Sequence, residues 1–417
     1  MKDKPYADSV SLITDSPSWY GCPPAHWVET KIKFLLSERR EETSGTLPPG
    51  AISFGEVVAK EMINEGTLAS YQDVHSGDFV INPINLNYDL KSLRVARSKI
   101  DVRVSPAYIV LKNISHTNSR YLRWLLYLFD VAHMKTLGAG VRQTITFSEI
   151  GSCVVWLPPL PEQTRIANFL DEQTARIDAL IAEKERLDAL LGEYRQAVIV
   201  QAVTKGLNPD APMKGSGVEW LGDVPKHWEI RRLKALCDIQ TGDKDTVNAV
   251  PGGEYPFFVR SQNVERINSY TFDCEAVLTA GDGAGVGKVF HYADGKFDFH
   301  QRVYMMNNFR LITGKWFFRY LSALFSKVAL DGSAKSTVDS LRMPLFMGFL
   351  VTVPPRDEQI AITSFLDQET ARIDNLIAHA QAELALLREY RSSLISAAVT
   401  GQLDMYGFKA VSHEHHC

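Results

Sequence analysis

The 417-residue sequence predicts a mixed α/β fold in which two similar globular blocks alternate with two long helices, the helices pairing as an antiparallel coiled coil. Three observations predict it. Residues 162–204 (EQTRIANFLDEQTARID…EYR…AVT) align without a gap on residues 358–400, with 24 of 43 positions identical. Chance would give about two or three, so the chain carries an internal repeat. A second pair, WYGCPPAHW at 19–27 and WLGDVPKHW at 220–228, shares Trp, Gly, Pro, His and Trp in register. The blocks that follow each of these motifs hold short β-branched and aromatic runs bounded by turn residues, the signature of strands.

The elements follow in order. In the first block GDFVIN, AYIVLK and CVVWL read as strands and YLRWLLYLF as a core helix. In the second, PFFV, VYMM and FLVTV read as strands and KWFFRYLSALF as the matching helix. Each repeated segment begins after a proline pair, Pro158-Pro159 or Pro354-Pro355, which stops the preceding strand. Each then carries an early carboxylate, Glu162 or Glu358, suited to a helix N-terminus. Ile177, Leu180, Lys184, Leu187, Leu191, Tyr194 and Val198 alternate steps of three and four, a heptad seam. Ile373, Ile377, Leu384, Leu387, Leu394 and Ala398 form a similar stripe in the second copy. Two matching stripes bury each other, which predicts the intramolecular pairing. KGLNPDAPMKGSGVEW, rich in Gly, Pro, Asn and Asp, reads as a linker. The expected divisions are a first block at 1–156, a first helical segment at 157–206, a linker at 207–219, a second block at 220–352, a second helical segment at 353–404 and a tail at 405–417.

Composition narrows the class. A hydrophobic content of 45% supplies cores for roughly two to three domains. No run approaches the roughly 18 apolar residues of a membrane span, and MKDKPYADS lacks the apolar stretch of a secretory signal, so the expected location is the cytoplasm. Cys22, Cys153, Cys237, Cys274 and Cys417 are odd in number and show no CxxC pairing. They are expected to be reduced thiols, with no zinc site or disulfide framework. His413, His415 and His416 beside Cys417 read as a solvated tail. The net charge of −4 hides an alternation along the chain. Residues 28–156 and 229–352 each hold 15 Lys and Arg against 13 Asp and Glu, whereas 157–204 hold 5 against 8 and 353–404 hold 4 against 8. The blocks are mildly basic and the helices acidic.

The densest glycine run, GDGAGVGKV at 281–289, is not a phosphate-binding P-loop. Asp282 stands where that loop needs a glycine, and Val289 follows Lys288 where it needs a hydroxyl for Mg²⁺. Flanked by EAVLTA and KVFHY, it reads as a turn between two strands.

The order W-x-G-x-x-P-x-H-W, variable block, PP-x-x-EQ, FLD, TARID, EYR and AVT, occurring twice, resembles the specificity (S) subunit of Type I restriction-modification systems over nearly the whole chain. The resemblance implies that each variable block is a DNA target-recognition domain and that the paired helices form a spacer. It also implies that chemistry belongs to partner subunits: modification subunits, expected to be two, using S-adenosylmethionine, and restriction subunits using ATP and Mg²⁺. Consistently, Asn82-Pro83-Ile84-Asn85 is the nearest string to the amino-methyltransferase motif [DNS]PP[YFW], and it lacks the second proline and the aromatic residue. The chain is therefore expected to be non-catalytic, with no cofactor or metal of its own, and to read a split DNA target. A helical rod of about 30 residues would be on the order of 45 Å long, somewhat more than one turn of B-DNA. A coiled-coil scaffold without DNA binding and a self-contained methyltransferase are the alternatives. A steep salt dependence of duplex binding separates the first, and methyl transfer by the isolated chain would support the second.

Arg, Lys, Asn, Gln and Ser on loops are the expected DNA contacts, since these pair with base edges or phosphates. In the first block they are Asn85, Asn87, Arg97, Ser98, Arg142 and Gln143. In the second they are Arg260, Gln262, Asn263, Gly283, Lys288, Gln301, Arg302, Lys335 and Ser336. On this reading the glycines let backbone approach a DNA strand, with Lys288 available to a phosphate.

Overall fold

A computed structural model describes residues 19–39, 46–53, 55–61, 65–84, 93–137, 144–329, 341–404 and 409–410. Four helices carry the architecture: α1 (Ser119–Phe129), α2 (Leu160–Lys205), α3 (Gly314–Ala329) and α4 (Arg356–Val399). The chain divides into two compact units, residues 1–183 with 384–417, and residues 184–383. Each unit therefore contains one block and a stretch of both long helices.

In the first unit the block enters through β1 (Val28–Lys31) and leaves through β2 (Val154–Leu157), which pair antiparallel with Val28 opposite Leu157. Between them lies an antiparallel sheet in the order 36–38, 109–113, 79–81, 95–97, after which the chain turns into α1. Asn118 caps α1 by accepting from the N–H groups of Arg120 and Tyr121, as a helix start requires. The apolar face of α1 (Trp124, Leu125, Phe129) packs with Ile166, Leu170 and Ile177 of α2 and with Leu394, Ile395 and Ala398 of α4. Each buried Leu, Ile or Phe among them contributes about 1.5–3 kcal/mol.

The second unit repeats this plan. β3 (Glu229–Arg232) pairs antiparallel with β7 (Leu350–Val353), Glu229 opposite Val353. The sheet runs 238–241, β6 (Val303–Asn307), β5 (Ala276–Ala280), 290–293, the same order as in the first unit, and the chain again turns into a helix, here α3. A second four-stranded sheet is built around β4 (Tyr255–Phe258), which pairs parallel with 296–299. Trp316, Phe317 and Tyr320 of α3 pack with Ile199, Ala202, Val203, Ile362 and Leu366 of the long helices. The strands and helices expected from the sequence all form.

The long helices run antiparallel in both units. In the first, Arg391 grips Asp178 through two hydrogen bonds of 2.7 and 3.2 Å. In the second, Arg195 grips Asp374 with the same two distances, Gln381 donates to Asp188, and Lys184 pairs with Glu383. The TARID aspartate of each copy is thus held by the EYR arginine of the other. The seam differs from expectation on α2. Ile177 is buried, and Ile181, Lys184, Asp188, Leu191, Arg195 and Val198 are half-buried, whereas Leu180, Leu187 and Tyr194 are 47%, 41% and 50% exposed. Hydropathy favoured leucine and tyrosine. Asp188 and Arg195 turn inward instead because α4 offers them polar partners. The stripe expected on α4 is buried or half-buried throughout. Asp178→Arg is expected to lower the stability of the first unit by about 1 kcal/mol, the scale of an exposed pair, and Arg391→Asp in the same chain to restore most of it. Denaturant unfolding of the single and double variants checks this.

Cys22 is disulfide-bonded, which corrects the expectation of reduced thiols throughout; Cys153, Cys237 and Cys274 are free. Spacing along the chain does not show which thiols meet in space. Among the described residues no helix is long and apolar enough to cross a membrane, and no cluster of His, Cys, Asp or Glu could hold a metal ion.

Candidate nucleic-acid interface

The repeated motifs form an anchor that fixes each block to its helix. In the first unit Glu162 accepts from His26 Nε2 at 2.9 Å and from Trp27 Nε1 at 3.2 Å. In the second, Glu358 accepts from His227 Nε2 at 2.6 Å and from Trp228 Nε1 at 2.9 Å. The next residue ties the helix start to the block. Gln163 accepts from the Asn118 N–H and donates to the Pro158 carbonyl; Gln359 accepts from the Thr313 N–H and donates to the carbonyls of Leu311 and Pro354. Both glutamines are buried, at 5% and 0% exposure, and their bonds to the Pro158 and Pro354 carbonyls are buried with them. The FLD aspartates complete the anchor, Asp171 accepting from Arg120 and Trp124, and Asp367 from Arg319. These roles went unread in the sequence, although the positions stood out as identical in both copies.

In the second unit the expected contact residues gather around the glycine turn that joins β5 to the strand 290–293. Arg260 and Arg302 both donate to Asp282, and Gln301 donates to Asp245 at 2.7 Å. Gln262, Asn263 and Lys288 are exposed. Gly283 has φ of +75°, a conformation that favours glycine, and its α-carbon side faces the Arg260 guanidinium, 3.7 Å from where a Cβ would stand. The close approach that Gly285 permits is to the protein's own chain: a Cβ there would lie 2.6 Å from the Arg260 carbonyl oxygen. His291 and His300 lie beside this cluster, and burial holds both below the usual imidazole range, reinforced at His300 by the Arg260 charge. Lys335 and Ser336 lie outside the described residues.

The first unit gathers less. Arg97 ends the strand 95–97 and lines a cavity of about 210 Å³ with Arg123, Trp124 and Tyr127. Ser98 is 1% exposed, and its hydroxyl donates to the Ile100 carbonyl at 2.6 Å, so it faces inward, contrary to its placement among surface contacts. Its polar side chain is satisfied locally, a bond that composition does not reveal. Asn85, Asn87, Arg142 and Gln143 lie outside the described residues.

Two blocks of the same strand order, each locked to paired helices by the same Glu, Gln and Asp, define a duplicated binding module. The chain belongs to the family described as the Type I restriction modification DNA specificity domain, whose model matches residues 73–189 and 225–385. Two relatives are similar to it. The Type I restriction enzyme EcoDI specificity subunit of Escherichia coli is 30% identical over 182 residues, 44% of this chain and 40% of that protein. The MjaVIII specificity subunit of Methanocaldococcus jannaschii is 22% identical over 317 residues, 67% of this chain and 70% of that protein. The chain thus matches less than half the length of the E. coli relative. A solved structure from work on complex assembly and conformational transition of the type I R-M system shares the fold, with a TM-score of 0.70 at 18% identity over 91% of this chain and 99% of that one.

Proposed function

We propose that this chain is the DNA-reading specificity subunit of a Type I restriction-modification complex, each recognition block, 1–156 and 220–352, reading one half of a bipartite target. The observation that carries the reading is the duplication. The DNA specificity family matches the chain twice, once in each block, and the two blocks share strand order, anchor and helix contacts. Loop residues of the blocks contact DNA, with Arg260, Gln262, Asn263, Lys288, Gln301 and Arg302 grouped on the second. The chain is non-catalytic on this reading. Methyl transfer from S-adenosylmethionine and cleavage driven by ATP and Mg²⁺ belong to its partner subunits.

The helices support two modification subunits. Leu180, Leu386 and Tyr390 of the first unit are 47%, 64% and 57% exposed. Their repeat equivalents in the second unit, Leu376, Leu190 and Tyr194, are 44%, 49% and 50% exposed. The Asp178–Arg391 and Arg195–Asp374 pairs bring each trio level on its helix pair. Each unit thus carries equivalent exposed apolar residues on its helix pair, which supports the reading of one modification subunit per unit.

The test is to express the chain with its modification partner and map the methylated sites. Two short fixed tracts separated by an unread gap of constant length are expected; a single contiguous tract, or methylation without sequence preference, would overturn the proposal. Lys288→Ala is expected to lower the slope of log affinity against log salt by about one and leave sequence preference intact, as loss of one phosphate contact does. A duplex titration at several salt concentrations measures it.

A further inference from the structure

Asp282 gives one carboxylate oxygen to each of two arginines from different segments. Oδ1 accepts from Arg260 Nη1 at 2.7 Å, and Oδ2 accepts from Arg302 Nη1 at 3.0 Å. Arg260 follows β4 and Arg302 precedes β6. The turn is shaped to bring them together. Gly281 donates its N–H to the Arg302 carbonyl at 2.9 Å, where a Cβ would stand only 3.0 Å from the same oxygen, and Gly285 packs on the Arg260 carbonyl. The neighbouring backbone is pinned as well: the Arg302 N–H donates to His300 Nδ1 at 3.0 Å, and His291 Nε2 bonds the Ser261 carbonyl at 2.9 Å.

The charge balance decides what this cluster suits. A carboxylate between two guanidiniums cuts their combined charge from two to one, which weakens a phosphate site. It also restrains the orientation of each fork, and bidentate reading of a guanine edge depends on that orientation. Phosphate contacts tolerate looser orientation and carry no sequence information. The side chains of Arg260 and Arg302 are 39% and 58% exposed while that of Asp282 is 21% exposed, so the donors face outward and the clamp sits behind them. Each guanidinium has five N–H donors and places one on Asp282, leaving a pair free for a base.

We propose that Arg260 and Arg302 are paired guanine readers for the second half-site and that Asp282 is the residue that positions them. This rests on the DNA-reading function proposed above, so the wild-type complex of the full chain with its modification subunits is tested first. Its affinity is measured for a target duplex and for every single base-pair change in both half-sites. Absence of any sequence preference would remove that underlying function. With the preference established, Arg260→Lys and Arg302→Lys keep the charge and lose the fork. Each is expected to reduce discrimination at one G·C pair of the second half-site on the order of 10- to 100-fold, with the salt slope and the first half-site unchanged. Asp282→Asn is expected to reduce discrimination at both of those pairs while raising affinity for unrelated duplex, because a negative charge has gone. A uniform change across all sequences in the lysine variants would show phosphate contacts and overturn the reader assignment. Wild-type discrimination in Asp282→Asn would overturn the positioning role. Should Asp282→Asn fail to fold, Asp282→Ser is measured in its place: reduced discrimination at both pairs is expected, and wild-type discrimination would overturn the positioning role.

Discussion

Replacing residues 28–156 with the corresponding block of another family member is expected to change one half of the recognised DNA sequence and leave the other half as it was. The structure supplies the reason such an exchange can fold. The block begins and ends on adjacent antiparallel strands, Val28 opposite Leu157, so a foreign block needs only matching ends. Its attachments to the long helices run chiefly through one element, α1, whose cap region meets Gln163, whose Arg120 and Trp124 meet Asp171, and whose apolar face packs on Ile166 and Leu170. His26, Trp27 and Glu162, which hold the helix start, lie outside the exchanged segment. The sheet 36–38, 109–113, 79–81, 95–97 lies wholly within it. Methylation mapping of the hybrid reads the result directly, and a simultaneous change in both halves would contradict the modular assignment.

Gln359→Leu is expected to destabilise the second unit by about 3 kcal/mol or more. Gln359 is fully buried and makes three hydrogen bonds, accepting from the Thr313 N–H and donating to the carbonyls of Leu311 and Pro354. Leucine fills nearly the same space but leaves the Pro354 carbonyl buried without this partner, at about 1–3 kcal/mol, and removes the part-buried bonds to Thr313 and Leu311 as well. Glu358→Gln, one position earlier, removes a charge whose side chain is 40% exposed and is expected to cost about 1 kcal/mol or less. Denaturant unfolding followed through tryptophan fluorescence compares the two, since Trp228 and Trp316 are both buried in this unit's core. Equal losses for the two variants would show that Gln359 does not bear the weight assigned to it.

The contact residues proposed for the second unit could be picked out in the sequence because Arg260, Gln262, Asn263, Lys288, Gln301 and Arg302 are polar residues at strand ends and turns. Ser98 misled because a serine after a strand reads as surface, and only the fold shows its hydroxyl closed on Ile100. Asp282 was legible as the residue that breaks a P-loop but not as the partner of two arginines. That pairing joins groups 20 and 22 residues away along the chain.

By itself the sequence determined the repeat, the four principal helices and several of the strands, and its motifs carried the resemblance to the family. The repeat, helices and strands are written in local periodicity or in identity between copies, and neither requires knowledge of what lies opposite in space. The tertiary structure alone decided which residues face each other. It showed that the two blocks share one strand order despite dissimilar sequences, because a sheet tolerates many side chains that keep the same faces buried. It moved the α2 seam from Leu187 and Tyr194 to Asp188 and Arg195, because a polar residue becomes stable at a helix contact once the other helix supplies its partner. It also turned Gly281 and Gly285 toward the backbones of Arg302 and Arg260, a contact between distant segments that no local pattern encodes.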